Sequence, residues 1–139
     1  MILLPDDLRA ALVANAAASR AAQAREATFD PLPVVKLFNP LGAATWLATG
    51  LDEDGDTLFG LADLGFGCPE LGIFSLAEIT GVQLPFGLKI ERDIGFATHF
   101  PLSVWAAWSR RSGSILWAET LLNRAALGGA VASNPPLDG

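Results

Sequence analysis

Between Asp30 and Pro33 the hydrophobic period of the chain changes, and no single motif constrains the fold as strongly. Upstream, Pro5-Asp6-Asp7 leads into LRAALVANAAASRAAQAREA. Acids at the start suit the positive end of a helix dipole, and alanine is the best helix former. Leu8, Leu12 and Ala16, with Ala11 and Asn15 beside them, make a narrow inward stripe. The second half of the helix is polar and is expected to lie in solvent. Asp30-Pro31-Leu32-Pro33 should end it, because proline lacks an N–H and pushes its predecessor out of helical space.

Downstream the period is two. Residues 34–38 (VVKLF) read as a strand closed by the turn signal Asn39-Pro40-Leu41-Gly42. Residues 44–51 form a second strand, with Trp46 and Ala48 on one face and Leu47 and Leu51 on the other. Residues 57–64 are apolar on both faces apart from Asp63, which places this strand inside the sheet. A short extended piece, residues 72–74, precedes Ser75-Leu76-Ala77-Glu78. This is a capping box, in which serine and glutamate each satisfy an orphan amide at a helix start. Residues 87–94 alternate most cleanly, with Leu88, Ile90 and Ile94 facing the core and Lys89, Glu91 and Asp93 facing water. Pro101-Leu102-Ser103 opens a helix over 104–111 with Trp105 and Trp108 on one face, and Ser114 caps another over 115–127. The ending ASNPPLDG is turn-rich and expected to fray. These elements predict an α+β fold, an antiparallel meander of four to five strands flanked by an N-terminal helix and C-terminal helices.

At 139 residues one domain is expected, with enough chain to bury a core. No run approaches the ~18 apolar residues of a membrane span. The start, MILLPDDL, lacks the basic leader of a signal peptide. A single cysteine, Cys68, leaves no intrachain disulfide and fits a reducing cytosol. With a net charge of -6 and only 9 scattered Lys and Arg, the chain is poorly suited to a phosphate backbone. Its 15 acids are too few for a nucleic-acid mimic. The expectation is a cytoplasmic protein that binds neither membrane nor nucleic acid directly.

From Leu3 to Ile115 the chain carries LLP-x-x-LRA, PVVKLF, GAATWL, LFGLADLGFGCPELG, SLAEI, GLKIERDI and PLSVWAA in order. This series resembles a bacterial family known as domain of unknown function 2958. The resemblance implies a home on plasmids, integrative elements and phage-derived regions. It also implies an accessory or anti-defence role of antirestriction or anti-CRISPR type. It divides the chain into a domain at 1–115 and a helical extension and tail at 116–139. It implies no particular activity.

The stretch LDEDGDTLFGLADLGFGCPELG holds the densest candidates for chemistry. Asp52, Asp54, Asp56 and Asp63 fall at EF-hand positions one, three, five and twelve, but Thr57 replaces the required glycine and strands replace the flanking helices. A hairpin turn at Asp54-Gly55 accounts for these residues better. Asp63, in an otherwise apolar strand, admits three readings: a turn-fixing acceptor, part of a partner surface with Glu70, or a metal ligand or acid. Cys68 with His99 is an incomplete nucleophile pair, since no helix N-terminus lowers the thiol pKa. Trp105 and Trp108 either pack a core or, if the helix packs partly, form an interaction patch.

The expected function is therefore that of a small non-enzymatic interaction protein, with Asp63, Glu70, Trp105 and Trp108 as candidate binding residues. No cofactor, metal or catalytic residue is assigned, and self-association through the C-terminal tryptophan helices is a further option. The alternative is a metal-dependent enzyme or metal-binding protein built on Asp63 and Glu70, with Asp93 and His99 in support.

Overall fold

A computed structural model describes residues 2–128; the ending ASNPPLDG, expected to fray, lies outside them. Helix α1 (Asp6–Ala24) precedes strands β1 (Val35–Phe38), β2 (Thr45–Leu51), β3 (Thr57–Asp63) and β4 (Glu70–Ser75). Helix α2 (Leu76–Thr80), strand β5 (Glu91–Arg92), and helices α3 (Leu102–Ser112) and α4 (Ile115–Leu127) follow. The sheet is antiparallel throughout, in the order β4-β3-β2-β1-β5. The fold is α+β as expected. Strands β1 to β4 make the meander, and β5 returns by way of α2 to pair with β1 on the opposite edge.

Side-chain alternation along the central strands separates two cores. Leu12 of α1 and Ile79 of α2 pack with Leu37, Trp46, Ala48 and Leu58. Trp105 and Trp108 of α3 and Ile115 and Leu122 of α4 pack with Leu47 and Leu61. Each fully buried leucine contributes about 1.5–3 kcal/mol relative to exposure. Two helical layers thus cover most of both faces of the inner strands, leaving Phe59 of β3 exposed.

Four details depart from the sequence expectations. Helix α1 stops before the prolines. Ala27 N donates to Ala22 O at 2.8 Å and Glu26 N to Gln23 O at 3.1 Å, the bond pair of a Schellman ending, with Glu26 left-handed at φ 53°. The prolines come later, in the connection to β1.

The second half of α1 is also more than a solvated rod. Ala22 is buried, Asn15 Nδ2 donates to Thr49 O at 2.9 Å, and Arg20 pairs with Asp52 at 3.3 Å, whereas Ala11 faces solvent.

Leu51 lies in the core of Trp46 and Ala48 rather than with Leu47. The cause is a bulge. Ala48 pairs with Gly60 but Gly50 pairs with Phe59, so Thr49 is an extra residue that reverses the faces beyond it. Gly60 is required there, because a Cβ would collide with the Leu47 carbonyl oxygen.

The cleanest alternation, residues 87–94, yields only the two residues of β5. Leu84 N donates to Leu88 O at 2.9 Å across a Pro85–Gly87 turn, and Asp93 Oδ1 accepts from Gly95 N at 3.1 Å. The two turns hold the segment out of the ladder on either side, so Ile90 is buried while Ile94 is exposed.

Candidate functional site

Residues 63–70 join β3 to β4, and their geometry begins at Asp63. This carboxylate is 1% exposed. Its Oδ1 accepts from Gly65 N at 2.9 Å, an Asx turn, and its Oδ2 accepts from Ile115 N at 2.9 Å. Ile115 is the first residue of α4, so Asp63 fills one of the orphan amides of that helix and places an anion at its positive end. Ser114 caps the same end by accepting from Trp117 N at 3.0 Å. The loop and the helix are locked together.

Beyond Asp63 the loop turns twice through conformations that favour glycine, at Gly65 (φ 92°) and Gly67 (φ 82°). Phe66, held between them, projects with 82% of its surface exposed. Leu64 is exposed beside it, and Pro69 is buried where the chain re-enters the sheet. The position of a Cβ on Gly65 is 3.5 Å from Ala43 Cβ, so the loop leans on the β1–β2 connection. Leu41 in that connection and Leu116 and Trp117 in the first turn of α4 are exposed as well. Five large apolar side chains therefore share one end of the sheet, the end at which Phe38, Thr45 and Asp63 lie in register. Isolated exposed apolar residues are ordinary, but a group on a fastened loop and helix end is not.

The acidic half of the stretch lies at the opposite end, in the β2–β3 turn. Asp52 N donates to Thr57 O at 2.9 Å and Gly55 takes φ 72°, so the hairpin is as expected. Each aspartate has its own partner. Asp54 accepts from the Thr57 hydroxyl at 2.6 Å and from the Thr57 and Asp56 amides at 2.8 Å. The Thr57 side chain, then the two amides, hold its carboxyl below the ordinary aspartate range. Asp56 accepts from Ser75 Oγ at 2.8 Å and Ala77 N at 2.7 Å, completing with Ser75–Glu78 N the cap of α2. Asp52 meets Arg20. The turn fastens α1 and α2 to the hairpin.

The candidate residues are thus dispersed. Trp105 and Trp108 are 2% and 4% exposed within the second core, and Trp105 Nε1 donates to Thr98 Oγ1 at 3.1 Å. Glu70 is exposed at the start of β4, the edge strand. Asp93 lies just past β5 on the other edge, roughly 19 Å from β4 at four strand spacings, and pairs with Lys36 at 3.5 Å. Cys68 and His99 are exposed. No group of three or more His, Cys, Asp or Glu suited to a metal ion occurs among the described residues. None of their helices is long and apolar enough to cross a membrane.

The model of the family described as "Protein of unknown function (DUF2958)" matches residues 3–116. The chain belongs to the DUF2958 family. No curated protein and no solved structure matches it significantly.

In this DUF2958 protein both ends of the Asp63–Ile115 hydrogen bond lie within the matched residues, whereas most of α4 lies beyond them. Yet Ala118 and Leu122 of α4 are fully buried in the second core, and Glu119 accepts from Lys36 Nζ at 2.8 Å. Phe66 carries no site motif in the sequence, and Trp117 enters there only as one of four tryptophans that invite a binding-groove reading. For Phe66 the signal is its setting, since an aromatic between two glycines outside a strand has little prospect of burial.

Proposed function

We propose that this protein acts by binding another protein through the apolar end formed by Leu41, Leu64, Phe66, Leu116 and Trp117. The observation that carries this reading is the fastening of Phe66. Two left-handed glycines and the Asp63 clamp fix the loop so that an aromatic side chain stands in water, and its apolar area is there for a partner to bury. Rigid aromatic anchors lose little conformational entropy on association and dominate many interfaces. Glu70 is exposed where β4 leaves this loop, and the net charge of -6 favours a basic or neutral partner over nucleic acid. The finer reading, from the family resemblance, is an accessory or anti-defence factor in the cytoplasm, carried by a mobile element and directed against a host defence protein.

The test compares the wild type with a Phe66→Ser/Trp117→Ser variant as crosslinked bait in bacterial lysate. A protein recovered by the wild type and lost with the variant, at unchanged melting temperature, supports the reading. Equal recovery, or background only, rejects it. The anti-defence role further requires that expression raise the survival of restricted phage or plasmid in the host, and that the variant abolish the rise.

A further inference from the structure

Strand β4 forms one edge of the sheet, and its outer side pairs with no strand among the described residues. The direction of its backbone groups follows from one bond. Leu76 N donates to Asp56 O at 2.9 Å, which makes Leu58–Phe74, Gly60–Gly72 and Ala62–Glu70 the hydrogen-bonded pairs of the β3–β4 ladder. By alternation the N–H and C=O groups of Leu71 and Ile73 point outward. Their side chains lie on the face of Leu61 and Phe59, with Ile73 68% exposed and Leu71 also exposed.

The two edges of the sheet contrast. Strand β5 is two residues long and both are charged, a blunted edge that discourages pairing. Strand β4 has six residues, only Glu70 is charged, and Glu70 to Ile73 are all exposed. An edge so long and apolar is a template for another strand.

We propose that the β4 edge pairs antiparallel with the same edge of a second copy, joining two five-stranded sheets into one. A two-fold axis at Gly72 sets Leu71 against Ile73 of the second copy, and the reverse, so both outward residues exchange N–H···O bonds. Apolar cross-strand pairs then line one face. On the other face the two Gly72 residues meet as a close non-hydrogen-bonded pair, and nothing lies within 4 Å of where a Cβ would be. Charge is compatible with this register, because Glu70 falls opposite Phe74 of the second copy and the two carboxylates stay apart. Leu71, Ile73, Phe59 and the strand backbone would lose roughly 500 Å² per copy, about 1,000 Å² in all, the lower bound of a specific interface. This pairing is independent of partner binding at the Phe66 end.

Light scattering after size exclusion, from about 10 to 500 μM, should give a mass rising towards twice the 14.6 kDa of the chain, as suits a small interface. Ile73→Lys should hold the mass at one chain while leaving the melting temperature unchanged; Leu71→Lys serves if the first variant is unstable. Phe66→Ser should leave the dimer intact. In a Cys68→Ser background, Gly72→Cys should oxidise to a disulfide-linked dimer, because the paired Cα atoms fall about 4.5 Å apart, within reach of a disulfide. A single-chain mass at every concentration, or a dimer indifferent to Ile73→Lys and Leu71→Lys, overturns the proposal.

Discussion

Asp63 Oδ2 accepts the backbone N–H of Ile115 at 2.9 Å, joining the end of β3 to the first residue of α4 across 52 positions of sequence. Hydrogen bonds to a charged acceptor are worth about 1.5–3 kcal/mol, and loss of the acceptor leaves a buried amide unsatisfied. Asp63→Ala should therefore lower stability by roughly 2–4 kcal/mol in urea unfolding, with faster amide exchange at Ile115 and Gly65. Asp63→Asn retains one acceptor oxygen and should lose less. Equal stability for all three proteins would remove Asp63 from its clamping role.

Glu26 occupies the left-handed position of the α1 ending, where a side chain costs about 1–2 kcal/mol that glycine avoids. Part of that gain is returned through the greater unfolded-state freedom of glycine. Glu26→Gly should still raise stability by about 0.5–1 kcal/mol, read as a higher denaturant midpoint at unchanged slope.

Ser109 is fully buried on α3 and its hydroxyl has no hydrogen-bond partner among the described residues. Alanine removes the buried polar atom and is the better helix former. Ser109→Ala should stabilise by about 1 kcal/mol, and a fall in melting temperature would mean that the hydroxyl is satisfied in solution.

The depressed carboxyl of Asp54 makes the β2–β3 turn sensitive to acid. Its folded pKa lies below the unfolded one, so between the two the folded protein binds fewer protons than the unfolded chain. The stabilisation is present above the unfolded pKa and is lost as pH falls through the folded one. Carbon-detected NMR should place the Asp54 midpoint below that of Asp in a peptide, with the Thr57 amide shift following the same curve. A peptide-like midpoint in the folded protein would contradict the hydrogen-bonded turn.

Leu122 is fully buried between the two C-terminal helices and the sheet, although it lies beyond the residues that match the family. Leu122→Ala should cost about 2–5 kcal/mol, and a smaller loss than 1 kcal/mol would show α4 to be peripheral to folding.

Much of the local structure was legible in the residues themselves. Ser114 and Ser75 announced their helices, Asp54-Gly55 its turn, and Asn39-Pro40-Leu41-Gly42 its connection, because capping and turn chemistry act across three or four positions. The candidate site was less legible. Asp63 drew notice as a carboxylate among apolar neighbours, but its principal partner is a backbone amide, which every residue but proline carries and no pattern marks. Trp105 and Trp108 pack in the core, the commoner fate of such a pair, but helical spacing by itself shows only that two side chains share a face and not what covers it.

By itself the sequence determined the class of fold, the order of its elements and most of their caps, since each depends on steric and hydrogen-bonding preferences within one or two turns of chain. Tertiary structure alone decided that Leu51 faces the Trp46 core, that residues 87–94 pair at only two positions and that β4 is left as an apolar edge. Each of those outcomes turns on which distant segment arrives to cover a face or complete a ladder. A residue carries its own chemistry along the chain, but its neighbours in space are set by the free energy of the whole fold.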